Sequence, residues 1–172
     1  MKKTVYQGKI LSVVEEKIGD IVWEKVYLPD GVIILPINDL GEILLIEERR
    51  PHETPNKRLK PVSGIIEYEK GTPLENAERE MQEEIGFKAN QWELLLHLKG
   101  SGTLNHQQFF YVAKDLSPSK LPNPDGEDTI LSIVSFSPEE LRKALDDGRI
   151  PWSLSTLGLL KLLEINPLKL KA

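Results

Sequence analysis

The chain has 172 residues and no cysteine, and its 22 Lys and Arg against 27 Asp and Glu leave a net charge of −5. This length suits one domain that buries roughly 70% of its unfolded surface unaided, and the composition excludes a disulfide-stapled fold, a thiolate metal site and a cysteine nucleophile. A weakly acidic chain is a poor partner for nucleic acid or an anionic membrane, and no stretch approaches the ~20 apolar residues of a membrane span, so a soluble cytoplasmic protein is expected.

The first residues, Val5 to Lys9, are polar at alternate positions and contain no signal-peptide apolar run. Ile10–Glu16 and Ile21–Leu28 mix apolar and charged residues at short period and read as strands around a Gly19-Asp20 turn. Asp30-Gly31 leads into Val32-Ile33-Ile34-Leu35, and Asn38 to Gly41 leads into Ile43-Leu44-Leu45-Ile46. Continuous apolar runs of this length suit strands buried on both faces. A polar stretch, Glu47 to Lys60, follows.

Pro73 to Ile85 reads as the first helix. Thr72 is placed to cap it, Pro73 fits its first position and Gly86 ends it, while Leu74, Ala77, Met81 and Ile85 form one apolar stripe. Strands are predicted at Trp92–Leu98 and Gln108–Ala113, then a proline-rich exposed loop at Ser117–Asp128 and a strand at Thr129–Phe136. Ser137-Pro138 opens a helix to about Leu145, and Trp152–Ile165 reads as the last helix. Many strands, one helix, more strands and two helices predict an α+β fold: a mixed sheet sandwiched by helices, preceded by an antiparallel β extension.

The chemistry concentrates in the first helix. At 100° per residue, Glu80, Glu83 and Glu84 fall within about a 100° arc. Carboxylates crowded on one face repel one another unless water screens them or a divalent cation sits among them, and hard oxygen ligands of this kind select Mg²⁺ or Mn²⁺. Arg49 and Arg50 follow a buried strand, and guanidinium groups suit diphosphate oxygens. Trp23 is a candidate to stack on a base, and His106 is the histidine best placed, in a turn-rich loop, to line a pocket.

The run Arg79-Glu80-Met81-Gln82-Glu83-Glu84-Ile85-Gly86-Phe87 resembles the end of the Nudix box, Arg-Glu-U-x-Glu-Glu-x-Gly-U with U a bulky apolar residue. At average residue usage, such a match at one window is on the order of one in ten million by chance. Ser63-Gly64-Ile65-Ile66-Glu67 resembles the loop before the family's helix, and the strands before the box and the Glu127-Asp128 loop after it look like the ADP-ribose and nucleotide-sugar pyrophosphatase branch. Two departures stand out. The segment Glu67 to Gly71 carries one residue more than the box and lacks its early Glu, with Glu69 the nearest substitute, and Lys60 stands where the branch usually has a Glu.

The resemblance implies a Nudix-type α/β/α sandwich at 31–166, an N-terminal arm at 1–30 that makes a homodimer, and a loose tail at 167–172. It implies hydrolysis of a nucleoside diphosphate linked to another group, with Mg²⁺, or Mn²⁺ in its place. Glu80 and Glu84 would be the principal metal ligands, Glu83 would complete the cluster or bind a further ion, and the Ser63 carbonyl would be a backbone ligand. Glu127 is the first choice for the general base, Asp125 the second and Glu83 or metal-bound hydroxide alone the next, while Arg79 would tie the helix to its preceding loop. Two alternatives are a nucleoside triphosphate sanitising enzyme and a non-catalytic Nudix-like nucleotide-binding module. The strands before Gly31 argue against the first, and the three glutamates together argue against the second.

Overall fold

A computed structural model describes residues 2–122, 129–151 and 153–165. Strands β1 (Lys2–Gln7), β2 (Ser12–Ile18) and β3 (Ile21–Tyr27) form an antiparallel sheet, which the short β9 (Leu104–Asn105) joins parallel to β3. The second sheet has the order β7-β4-β10-β8, from β4 (Gly31–Pro36), β7 (Val62–Ile65), β8 (Phe87–Lys99) and β10 (Gln107–Pro118). Its β4–β10 pair is parallel and its other pairs are antiparallel. The third sheet, in the order β11-β5-β6, is antiparallel throughout and uses β5 (Ile43–Arg49), β6 (Lys57–Lys60) and β11 (Ile130–Phe136). Helices α1 (Pro73–Glu84), α2 (Pro138–Asp146) and α3 (Leu154–Glu164) complete an α+β fold.

The apolar run of β4 is buried on both faces, as its sequence predicts. Ile33 and Leu35 pack with Phe110, Leu141, Leu145, Leu159 and Leu162, on the side of α2 and α3. Val32 and Ile34 pack with Val62, Ala77, Met81 and Ile85, on the side of α1. Strand alternation thus sends adjacent residues of one strand into two cores, with helices on opposite faces. α3 lies so close that a Cβ on Gly158 would fall 2.3 Å from Phe110 Cδ1.

Local signals set α1. Thr72 and Glu75 form a capping box, with Thr72 N–H donating to Glu75 Oε2 at 2.7 Å and Glu75 N–H to Thr72 Oγ1 at 3.3 Å. The buried Asn76 then organises the loop in front of the helix: its amide donates to the carbonyls of Gly71 and Thr72, and its Oδ1 accepts from Glu67 N–H. The far end of α1 has no basic residue in its last turn. Lys120, beyond β10, supplies one, donating from Nζ to the Glu83 carbonyl at 2.6 Å. Ser119 N–H and Leu121 N–H donate to the carbonyls of Gly86 and Gln82 beside it. At the other end of the sheet, Asp30 accepts from Gln107 N–H and Tyr68 Oη, both at 2.6 Å, and this bond pushes the Tyr68 phenol up to about 12.

Several elements depart from the sequence expectations. No separate strand is expected before Ile10, yet Lys2–Gln7 forms β1 and pairs with β2, Lys2 facing Glu16 across the ladder. The polar stretch from Glu47 holds the end of β5 and all of β6, joined by cross-strand charge pairs such as Lys57 Nζ to Glu47 Oε1 at 2.9 Å. β8 and β10 pair from Phe87–Pro118 to Lys99–Gln107, so β10 runs to Pro118 and overlaps the loop expected from Ser117. Backbone pairing carries these strands past the apolar residues that signal them. Among the described residues no helix is long and apolar enough to cross a membrane.

Candidate active site

A cavity of about 650 Å³ opens between α1, β7 and the end of β5. Each wall has a simple local origin. The three glutamates of α1 share one face by helical period, and Glu80, Glu83 and Glu84 all line the cavity. β7 brings Ser63 and Gly64 against that face. Ser63 N–H donates to Glu84 Oε2 at 3.2 Å. At Gly64 a Cβ would lie 2.1 Å from Glu80 Cδ, so only a glycine admits this carboxylate. β5 contributes Glu48, two residues after the buried Ile46 and therefore on the same face, and the chain just beyond contributes Arg50.

The charges are densely interlocked. Arg79 Nη1 donates to Glu83 Oε2 at 2.9 Å, and its Nη2 lies 3.1 Å from Glu80 Oε1 and 3.3 Å from Glu67 Oε1. The contact with Glu67 is the tie from helix to preceding loop that the sequence suggests for Arg79. Lys60 Nζ lies 3.6 Å from Glu84 Oε1 and 3.6 Å from Glu48 Oε1. Glu48 Oε2 is buried and makes no hydrogen bond, although Arg50 Nε lies 3.1 Å away.

Burial pushes the Glu80 carboxyl up to about 7; Arg79 opposes the shift and Glu84 and Glu83 reinforce it. Burial likewise raises Glu84, against the pull of Lys60 and the Ser63 N–H. Two positive side chains therefore leave this group of glutamates short of compensation.

The donor atoms facing the cavity are carboxylate and hydroxyl oxygens, the chemistry of Mg²⁺ or Mn²⁺. Among the described residues no three acidic or histidine side chains converge tightly enough to hold an ion as they stand. The contacts give the reason: Arg79 draws Glu83 and Glu80 to itself, and Lys60 faces Glu84. The set fits a hard divalent cation that takes over part of this pairing.

The other sequence candidates are spread more widely. Arg50 lines the cavity; Arg49 is exposed at the end of β5 and does not. His106 lines a neighbouring cavity of about 450 Å³, which shares Lys60, Ser63 and Gly64 with the first. Trp23 is 55% exposed on β3 and lines neither. Asp125 and Glu127 lie outside the described residues. The acid of the pre-helix loop that lines the cavity is Glu67, whereas Glu69 is exposed and does not. Sequence reasoning misses Glu48, although its even spacing from Leu44 and Ile46 carries the signal: a carboxylate in register with buried apolar positions.

The family model described as NUDIX domain matches residues 27–154. An ADP-ribose pyrophosphatase of Mycobacterium tuberculosis (strain ATCC 25618 / H37Rv) is 24% identical over 165 residues, covering 92% of this chain and 79% of that protein. A crystal structure of an ADP compounds hydrolase superposes with a TM-score of 0.81 at 23% identity, covering 100% of this chain and 95% of the other.

Proposed function

The chain belongs to the Nudix family of pyrophosphohydrolases, and from that premise we propose that it hydrolyses the pyrophosphate bond of a nucleoside diphosphate linked to a sugar, with ADP-ribose or a nucleotide sugar as substrate and Mg²⁺ or Mn²⁺ as cofactor. One observation supports this reading above the others: Glu80, Glu83 and Glu84 meet Ser63 on one polar cavity that also has Arg50 and Lys70 in its wall. Water is added across the bridging P–O bond, giving a nucleoside monophosphate and a sugar phosphate.

Glu80 and Glu84 would hold the cation, with Glu83 completing the set, and a bound cation neutralises charge on the pyrophosphate and acidifies water. The chain's own groups do the positioning. Ser63 N–H orients the Glu84 carboxylate, and Arg79 fixes the helix against its loop. Arg50 and Lys70, which pair with Glu48 and Glu67 across the cavity wall, would share their positive charge with the diphosphate oxygens. Incubation with nucleotide sugars, dinucleotides and nucleoside triphosphates, with Mg²⁺ and with Mn²⁺, tests the reading. Nucleoside monophosphate plus sugar phosphate is expected; pyrophosphate release from triphosphates alone would overturn it.

The general base on this reading is Glu127, whose carboxylate takes the proton from the attacking water. Glu127→Gln is expected to lower kcat at least ~10-fold with KM little changed, and Asp125→Asn to do much less. Steady-state kinetics on both variants decide, and a change in KM alone would remove Glu127 from this role.

We also propose that residues 1–30 pair with a second copy in a two-fold homodimer around the 31–166 unit. The β1–β3 sheet leaves Tyr6, Ile18, Ile21, Val22 and Trp23 exposed, and so small a sheet does not bury an apolar face by itself. Light scattering at micromolar concentration should give twice the chain mass of 19.5 kDa; a monomer would overturn the proposal.

A further inference from the structure

We propose that Lys60 is a resident cation of the site. Its ammonium holds the place between Glu48 and Glu84 that an additional divalent ion would otherwise take, and so confines metal binding to the Glu80 side of Glu84. The inference rests on the metal-dependent reading above and concerns how many ions the site accepts.

The geometry around Lys60 is that of a built ion position. The side chain is 14% exposed, and its Nζ sits 3.6 Å from one oxygen each of Glu48 and Glu84. Both distances are ionic contacts, too long for hydrogen bonds. The one hydrogen bond that fixes the ammonium goes to Ser63 Oγ at 3.0 Å. Glu48 is the independent sign that the position is real: its side chain is only 9% exposed, it lines the cavity, and it turns Oε1 toward Lys60 while its buried Oε2, which makes no hydrogen bond, faces the two arginines. A chain does not bury a carboxylate without charge compensation nearby. Arg50 and Arg58 approach Oε2 at 3.1 and 3.6 Å, which leaves Oε1 and Glu84 to Lys60.

A lysine is a compact charge of +1 that does not dissociate from the chain. Without it, two buried carboxylates and a serine hydroxyl would face one another as hard oxygen donors, the set that attracts Mg²⁺ or Mn²⁺. Lys60 therefore replaces a divalent ion that would depend on solution concentration with one fixed charge. Glu80, held near Gly64 and Arg79 instead, stays available to an exchangeable ion.

The test counts Mn²⁺ ions bound per full-length chain, without nucleotide, from the electron paramagnetic resonance signal of free Mn²⁺. Lys60→Gln is expected to bind one ion more than the unsubstituted chain, and Lys60→Arg, which keeps the charge, to bind the same number. Lys60→Met provides a second neutral variant should Lys60→Gln fail to fold. An unchanged count in a folded neutral variant overturns the inference and leaves the metal-dependent reading standing, and if KM for the nucleotide rises at the same time, Lys60 is a substrate group instead. Failure of the unsubstituted chain and all variants to bind Mn²⁺ overturns both.

Discussion

Glu84→Gln should lower turnover at least ~10²-fold at saturating Mg²⁺, about 2.7 kcal/mol of transition-state stabilisation. The substitution keeps the shape of the side chain and removes its charge. Glu84 is held at both oxygens, with the Ser63 N–H on one at 3.2 Å and the Lys60 ammonium 3.6 Å from the other. Its carboxyl is raised by burial, so part of its intrinsic cost in the folded chain is offset only when further positive charge arrives. A neutral amide there cannot attract that charge, and it leaves Lys60 facing a dipole. Rates measured on the product that appears in the substrate panel check the expectation, with circular dichroism confirming the fold; an unchanged rate would sink the carboxylate-cluster mechanism.

Gly64→Ala should cost about as much, for a steric reason. Ala adds one methyl, but that carbon would sit 2.1 Å from Glu80 Cδ and 2.6 Å from Oε1. One of the two must move, and β7 is held by its ladder to β4, with Gly64 opposite Val32. The Glu80 side chain therefore swings away from the position that faces the cavity. We expect a fall in turnover of ~10²-fold and Mn²⁺ affinity weaker by ~10-fold, with little loss of thermal stability because the displaced carboxyl has open space to enter. Full activity in Gly64→Ala would show that Glu80 does not act from where it stands.

What is legible in the sequence is what local chemistry decides. Thr72, Pro73 and Gly86 bound α1 almost to the residue, because caps and breakers act within a turn of themselves. The runs 32–35 and 43–46 announce doubly buried strands, because they are short, rich in Val and Ile and preceded by Gly31 and Gly41 turns. The three glutamates fall on one face by helical period alone. β6 is illegible because Lys57 to Lys60 has no apolar pattern; it is a strand only because Glu47 and Glu48 lie across from it. The spacing of Glu48 marks its face but not its charge partners, since Lys60 and Arg58 reach it from the neighbouring strand and Arg50 from just beyond its own. Where Trp23 would lie is not legible either, because aromatic character says nothing of which sheet, or which face of it, a strand will join.

The bond from Lys120 to the end of α1 orders events in time. Until the ribosome has released Lys120, 36 residues after Glu84, the acid-rich last turn lacks the cation that caps it. A nascent chain that has emerged only as far as β8 carries the glutamates of the site on a helix whose final turn frays, with no β10 beneath it to pack on. On the metal-dependent reading, the face that carries Glu80, Glu83 and Glu84 is thus completed only with β10, before the α2 and α3 side of the core has been made, and a product stalled short of Lys120 is left without it.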